Sequence, residues 1–289
     1  TKLGDRALYN AANLLDKEGN PKEGVKVRQQ LIDTYPDSEF AKDSYRFFID
    51  DLERKGKYTQ AAKYLEQYVA KYPQESFAQE ALLVAAMYRD VLGQTDVAMK
   101  HQTDLIAKYP KSEKTPEIIL DLAENYLKQK KPGKAAETYE LLISKYSNKL
   151  PLVMIALIKQ YEVFQQMRED GKANRSKNIF EKKYKDWKNQ KNPPKDDEFS
   201  PEVHQLAASI ALEKVIESYD PYAKMSLESP DNEKKFKKSL DQKVQKRDLM
   251  IKEFEQVIKQ YKEAHSVIAS LYYIGKIWEN FSESLLNTP

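Results

Sequence analysis

The sequence predicts an all-α protein, a solenoid of stacked helix–turn–helix repeats, and two observations point to this class. Tyr-Pro recurs at Tyr35-Pro36, Tyr72-Pro73 and Tyr109-Pro110, and Tyr146-Ser147 follows at the same 37-residue step. A fixed period of this size is typical of stacked repeats. The composition agrees, because the 289 residues include only 8 Gly and are 32% charged, as suits long, well-solvated helices.

Four units align at this period, over residues 19–41, 56–78, 93–115 and 130–152. Gly at the turn can adopt positive φ and end the first helix, and a small residue five positions later lets the paired helices approach. Pro after Tyr ends the second helix, and Ser38 is a candidate N-cap for the next one. The turn column holds Gly19, Gly56 and Gly93, and the small column holds Gly24, Ala61, Ala98 and Ala135.

The first helix of each unit is predicted from apolar residues at helical spacing. In the unit that ends near Tyr146, these residues are Ile119, Leu122, Ala123 and Tyr126. Together with Ala135, Tyr139, Leu142 and Ser147, they give a pattern that resembles the tetratricopeptide repeat. The departures are a period longer than the usual one of about 34 residues and polar residues at Arg28 and Gln102.

This resemblance implies a right-handed α-solenoid that binds proteins and has no catalytic activity. The Tyr-Pro-x-Ser pattern is similar to a bacterial envelope subset, which includes the periplasmic partner of the Tol–Pal system and outer-membrane assembly lipoproteins. The C-terminal segment more weakly resembles repeat proteins of deltaproteobacterial gliding machinery. The implied location is the periplasm or outer membrane of a Gram-negative bacterium, with the cytoplasm left open.

Beyond residue 150 the period drifts. A fifth unit is expected with a first helix opened by Pro151, a turn delayed to Gly171 and a second helix over about 172–190. We therefore assign residues 1–191 to five repeats, with the regular period in 1–150. Residues 192–289 are assigned to divergent helical units that continue the solenoid.

Within the divergent part, 192–197 reads as a linker, and Ser200 and Pro201 start a helix that ends near Tyr219. A helix from Ser229-Pro230 to Tyr261 is either the long second helix of a sixth unit or a coiled-coil arm. A last helix from Ser266 to Leu286 is expected to cap the array. Its expected apolar face consists of Val267, Leu271, Ile274, Trp278, Phe281 and Leu285.

Nothing in the sequence predicts catalysis, a cofactor or a metal site. There is no Cys, and none of the three His has a second ligand at metal-binding spacing. The net charge of +3 makes nucleic acid an improbable partner, and no apolar run is long enough to span a membrane. No signal peptide is recognisable. The abrupt opening at Thr1-Lys2-Leu3 is compatible with removal of an upstream segment.

Two kinds of partner site remain open. In tetratricopeptide arrays the first helices line the concave face, and the matching columns here change from polar to apolar along the chain. A helix or peptide could dock on this strip, or the segment from about 200 onward could cover it. The alternative function is binding of an anionic partner, nucleic acid or membrane surface, through the basic segments 171–195 and 234–247. The groove residues are Leu83, Met87, Leu120, Leu127, Leu157, Tyr161 and Phe164.

Overall fold

The computed structural model describes residues 3–190 and 199–288. Within these residues all regular structure is helical, in fourteen helices, of which α12 is a single short turn. The all-α class and the repeated helix–turn–helix pairs are as predicted. The helices are α1 Gly4–Lys17, α2 Pro21–Thr34, α3 Glu39–Arg54, α4 Tyr58–Lys71, α5 Ala78–Val91, α6 Thr95–Lys108, α7 Thr115–Lys128, α8 Pro132–Lys145, α9 Leu150–Gln166, α10 Asp170–Lys188, α11 Pro201–Ile216, α12 Tyr219–Ala223, α13 Glu233–Tyr261 and α14 Ala264–Leu286.

The chain forms two compact units, Thr1–Thr138 and Tyr139–Pro289, so the division falls inside α8. The domain boundary predicted at 191/192 adjoins residues outside the described part and stays a prediction. The predicted linker 192–197 lies entirely outside it.

The turns of the first unit follow the predicted register. Gly19, Gly56 and Gly93 have φ of +80°, +66° and +74°, and Lys130 occupies the same column at +57°. The second helices of the four repeats end at Thr34, Lys71, Lys108 and Lys145. The fourth ends at the expected step although Ser147 replaces Pro there, so the turn geometry does not depend on Pro.

The small column lies where paired helices meet. Ala61 and Ala98 are fully buried. A Cβ added to Gly24 would lie 2.4 Å from Asp16 Oδ1 and 3.1 Å from the Ala12 carbonyl oxygen. A larger side chain in this column therefore forces the two helices apart.

Two repeats carry a polar residue in a buried column that holds Leu65 in the second repeat. Arg28 is 2% exposed and its Nη2 donates to Asp16 Oδ2 at 2.6 Å and to Asn13 Oδ1 at 2.7 Å. Gln102 is also buried, and its Oε1 accepts from Asn125 Nδ2 at 3.3 Å. The weak matches to the repeat pattern are thus compensated by polar groups on the neighbouring first helix.

The fifth repeat differs from the prediction at its turn. α9 begins at Leu150 with Pro151 in its first turn, as predicted, but the residue with positive φ is Arg168, at +59°. Gly171 lies inside α10, which begins at Asp170. The predicted delay to Gly171 is wrong because a non-glycine residue adopts the left-handed conformation one residue later than the period requires.

The long helix α13 begins at Glu233, not at Ser229-Pro230. The side chain of Asn232 accepts a hydrogen bond from Lys235 N at 3.1 Å and caps the helix. The helix ends at Tyr261, as predicted, with Lys262 in the left-handed conformation. α13 packs against both α11 and α14, so it is not a free coiled-coil arm, and its assignment as the long second helix of a sixth unit stays a prediction.

The apolar face predicted for α14 is packed only in part, because Val267, Ile274 and Phe281 are half-buried and Ile274 packs against the core. The buried residues are Ser266, Ser270 and Ile277, whereas Leu271 is 57% exposed and Trp278 is 47% exposed. The hydroxyl oxygens of Ser266 and Ser270 have no hydrogen-bond partner among the described residues.

Candidate partner-binding clefts

The first candidate site is a cleft of about 250 Å³ between α5 and α7, the first helices of the third and fourth repeats. Its apolar lining comes from Leu83, Met87 and Val91 on α5 and from Ile118 on α7. Met87 is 58% exposed and Val91 is 85% exposed. Exposed apolar side chains in a cleft mark a surface on which another chain can bury area.

The rim of this cleft is acidic. Asp90, Asp121 and Glu124 line it, and the one basic lining residue is Lys128. The Lys128 Nζ lies 3.8 Å from Asp90 Oδ2. Reduced solvation raises the pKa of Asp121, and repulsion from neighbouring carboxylates, chiefly Glu124, raises it further. The repulsive part of this shift comes from Glu117 and the other two carboxylates of the rim, and a bound cation would relieve that part.

A second cleft, of about 440 Å³, lies between α9 and α11 in the other compact unit. Ile158, Tyr161 and Leu206 are among its apolar lining residues. Lys159 Nζ lies 3.6 Å from Glu162 Oε2 and 3.9 Å from Glu202 Oε2. Because this lysine bridges carboxylates on both helices, the second cleft is more balanced in charge than the first.

The predicted groove residues separate into three groups. Leu83 and Met87 line the first cleft and Tyr161 lines the second. Leu120, Leu127 and Phe164 are half-buried, and Lys172 Nζ lies 5.5 Å from the centre of the Phe164 ring. Leu157 is fully buried, so its assignment to an accessible surface is wrong.

The burial of Leu157 has a local cause. Ala156, Leu157 and Ile158 are three consecutive buried residues of α9, and together they span most of the helix circumference. α9 packs against both α10 and α11. Sequence columns locate a residue along a helix but do not reveal how wide an arc its neighbours cover.

The predicted basic segments are partly neutralised within the fold. Lys172 pairs with Glu169, and Lys177 with Glu213. In the second segment, Lys243 is fully buried and its Nζ donates to the Met225 carbonyl oxygen at 2.5 Å and to Ser284 Oγ at 2.6 Å. Lys243 is therefore not displayed for an anionic ligand, whereas the Lys172 side chain stays 63% exposed.

No group of three or more His, Cys, Asp or Glu in the described residues is arranged to hold a metal ion. His101 Nε2 lies 2.9 Å from Glu66 Oε1, and Glu66 also accepts two hydrogen bonds from Arg89 at 2.7 Å each. This network joins α4, α5 and α6, and it explains His101 as a packing residue. No helix in the described part of the chain is both long and apolar enough to cross a membrane.

Three segments, residues 6–38, 51–75 and 117–149, match the family model of the tetratricopeptide repeat. The chain contains tetratricopeptide repeats. The matched segments coincide with helices of the regular part, where the turn and small columns are in register. A repeat of this family is a protein-interaction unit, so the fold supports a scaffold and nothing shows catalytic activity.

Solved structures resemble the chain only distantly. The protein pilF of Pseudomonas aeruginosa is 13% identical, with 94% of this chain and 97% of that chain covered, at a TM-score of 0.39. A tetratricopeptide repeat protein from Parabacteroides merdae is 11% identical, with 96% of this chain and 98% of that chain covered, at a TM-score of 0.39. BtubC from P. vanneervenii is 11% identical, with 86% of this chain and 92% of that chain covered, at a TM-score of 0.41. A comparison with curated protein sequences finds no match. These values are too low for any partner or location to be transferred.

Proposed function

We propose that the protein is a non-enzymatic scaffold that binds a helix or extended peptide of a protein partner in the cleft between α5 and α7. The observation that carries this proposal is the combination of exposed apolar lining and acidic rim in one cleft. Met87 and Val91 offer apolar area, while Asp121 and Glu124 lie at the edge with one nearby cation. A groove of this kind suits a segment with apolar anchors.

The charge of the rim favours a basic partner segment. A Lys or Arg beside an apolar anchor would lower the repulsion that raises the pKa of Asp121, and it would also speed encounter at low ionic strength. An acidic segment would meet Asp90, Asp121 and Glu124 and be rejected. The proposed ligand is therefore an amphipathic segment with leucine-like anchors and positive charge.

We further propose that this scaffold works in a bacterial cell-envelope complex. The support is the Tyr-Pro-x-Ser pattern at residues 35–38 and 109–112, which is similar to envelope-type repeat proteins. The test is fractionation of the source cell with an antibody against the chain. Recovery in the periplasm or outer membrane supports this location, and recovery in the cytosol contradicts it.

The binding proposal is tested with two designed peptides of equal length, one of Leu and Lys and one of Leu and Glu in the same pattern. We expect fluorescence anisotropy to show binding of the Lys peptide only, with affinity that falls as salt rises. Met87→Glu would remove an apolar contact but would also add a negative charge that attracts the Lys peptide, so its two effects oppose each other. The combined change Met87→Ser with Asp121→Asn weakens both the apolar contact and the charge attraction, and it is therefore the test variant. We expect it to weaken binding at least tenfold.

Val97→Ser is the matched control, because Val97 is also partly exposed but lies on α6, outside the cleft. The control should bind as tightly as the unmodified chain. Equal binding of both peptides, or equal binding by the cleft variant and the control, would show that this cleft is not the site. Binding of the Glu peptide alone would favour the basic segments instead.

A further inference from the structure

The last helix displays more unpaired apolar surface than any other described element. Fifteen large apolar side chains are well exposed in the described residues, and six of them lie on α14. Ile268, Leu271 and Tyr272 are 68%, 57% and 59% exposed. A contiguous apolar surface on one helix is costly in water unless something covers it.

The repeat architecture indicates the shape of what is missing. α5 is packed on one side by α4 and on the other by α6. α14 packs against α13 and also contacts α11 and α12, while Ile268, Leu271 and Tyr272 remain exposed on its other face. The surface that remains open is therefore one that a second α-helix fits.

We infer that this face pairs with the same face of a second copy of the chain, α14 against α14 in antiparallel orientation. We choose α14 itself as the occupant because it carries more exposed large apolar side chains than any other described helix. A two-fold contact uses the same surface twice, so a single apolar helix face satisfies both copies.

The residue order on the exposed face is suited to such a two-fold axis. Gly275 lies in the middle, with no atom within 4 Å of where its Cβ would stand, so two backbones can approach closely there. Tyr272 and Trp278 lie three residues before and after it, and antiparallel pairing about Gly275 places each Tyr272 beside the second copy's Trp278. Lys276 and Glu279 form an ion pair within one helix at 2.9 Å, so the centre brings no net charge.

The available area sets the expected strength. Usual side-chain areas give roughly 400 Å² of apolar surface per copy for the six residues at their observed exposure. Twice this value is below the 1,200 Å² or so typical of stable complexes, and weak, transient contacts lie in that range. We therefore expect a dissociation constant on the order of 10–100 µM. This inference does not depend on the cleft between α5 and α7.

The first test is sedimentation velocity of the full chain from about 5 to about 500 µM, a range that brackets the expected dissociation constant. We expect a monomer–dimer equilibrium, at least tenfold weakened by Leu271→Glu and also weakened by Tyr272→Ser. The control Leu14→Glu adds the same charge at another exposed apolar site, on α1, and should dimerise normally. Circular dichroism checks that each variant is folded. A chain that stays monomeric throughout, or a dimer unaffected by both α14 variants, overturns the proposal.

The second test uses the absence of Cys from the sequence. Gly275→Cys lies on the proposed axis and should form a disulfide-linked dimer on oxidation, whereas Val91→Cys should not. Mixing Tyr272→Cys with Trp278→Cys should give more cross-linked product than either variant alone. Equal yields from mixed and unmixed samples overturn the antiparallel arrangement.

Discussion

Replacing Asp16 by Ala isolates the energetic role of the buried charge in the first repeat. The Arg28 guanidinium is nearly inaccessible; it donates to Asp16 and Asn13 and lies 3.7 Å from the centre of the Phe47 ring. With Ala at position 16, the guanidinium keeps its hydrogen bond to Asn13 and its contact with the Phe47 ring, but it loses the carboxylate that balances its charge. The free energy of unfolding should therefore fall.

The size of this loss follows from the exposure of the two partners. Removing one member of a buried ion pair typically costs about 3–5 kcal/mol. The Asp16 side chain is 26% exposed, and Asn13 remains as an acceptor, so we expect about 2–3 kcal/mol. Arg28→Leu should cost about 1–3 kcal/mol, because Leu65 shows that the column accepts Leu, but Asp16 Oδ1 is buried with no hydrogen-bond partner among the described residues and the carboxylate would lose its cation.

Adding Arg28→Leu to Asp16→Ala should therefore restore at least about 1 kcal/mol. α1 and α2 form one repeat of the array, and a single repeat can open separately from its neighbours. The assay is thus amide hydrogen exchange over residues 4–34, together with urea unfolding. Glu18→Ala, an exposed carboxylate near the same helix end, is the control and should change stability by less than about 0.5 kcal/mol. A double variant less stable than Asp16→Ala alone would refute the reasoning.

Three further predictions concern the repeat columns. Ala61→Leu should destabilise by about 1–3 kcal/mol through overpacking while the surface change Lys63→Gln stays within about 0.5 kcal/mol, and equal urea midpoints would contradict the register. Lys130→Gly should stabilise by about 0.5–1 kcal/mol, since it relieves positive φ at some entropic cost, and a lowered thermal midpoint would argue against strain there. Burial tends to raise the pKa of Glu66, but hydrogen bonds chiefly from Arg89 outweigh this and lower the pKa. The stability this carboxylate contributes is present above its unfolded pKa and is lost as pH falls through the folded value, so the deficit of Glu66→Gln in urea unfolding should shrink below about pH 4.5. A constant deficit from pH 7 to pH 3 would exclude this linkage.

The sequence was most informative where one residue type performs one mechanical task. Positive φ at Gly19, Gly56 and Gly93 and the burial of Ala61 and Ala98 were predictable, because a turn and a close helix contact each admit few residue types. The turn at Arg168 was not predictable, since the sequence does not indicate which non-glycine residue will adopt the left-handed conformation. The cleft was predicted in part: Leu83 and Met87 were identified, but the acidic rim was overlooked because carboxylates occur on every helix face.

The two wrong assignments of apolar residues have a common physical origin. Hydrophobic periodicity identifies residues that share a helix face, but the neighbouring helices decide which faces are covered. In α9 they cover a wide arc, so Leu157 is buried. In α14 the packed face carries Ser266, Ser270 and Ile277, with Tyr273 and Ile274 packed against the same core, and it leaves Leu271 outside. The rule that placed Ala61 at a close helix contact, small residues where backbones approach, would also have selected the serine face of α14. In α14, residue size and hydrophobicity therefore both decide the packed face, since Ile277 is buried together with Ser266 and Ser270, and the large apolar residues that remain exposed indicate the surface available to a partner.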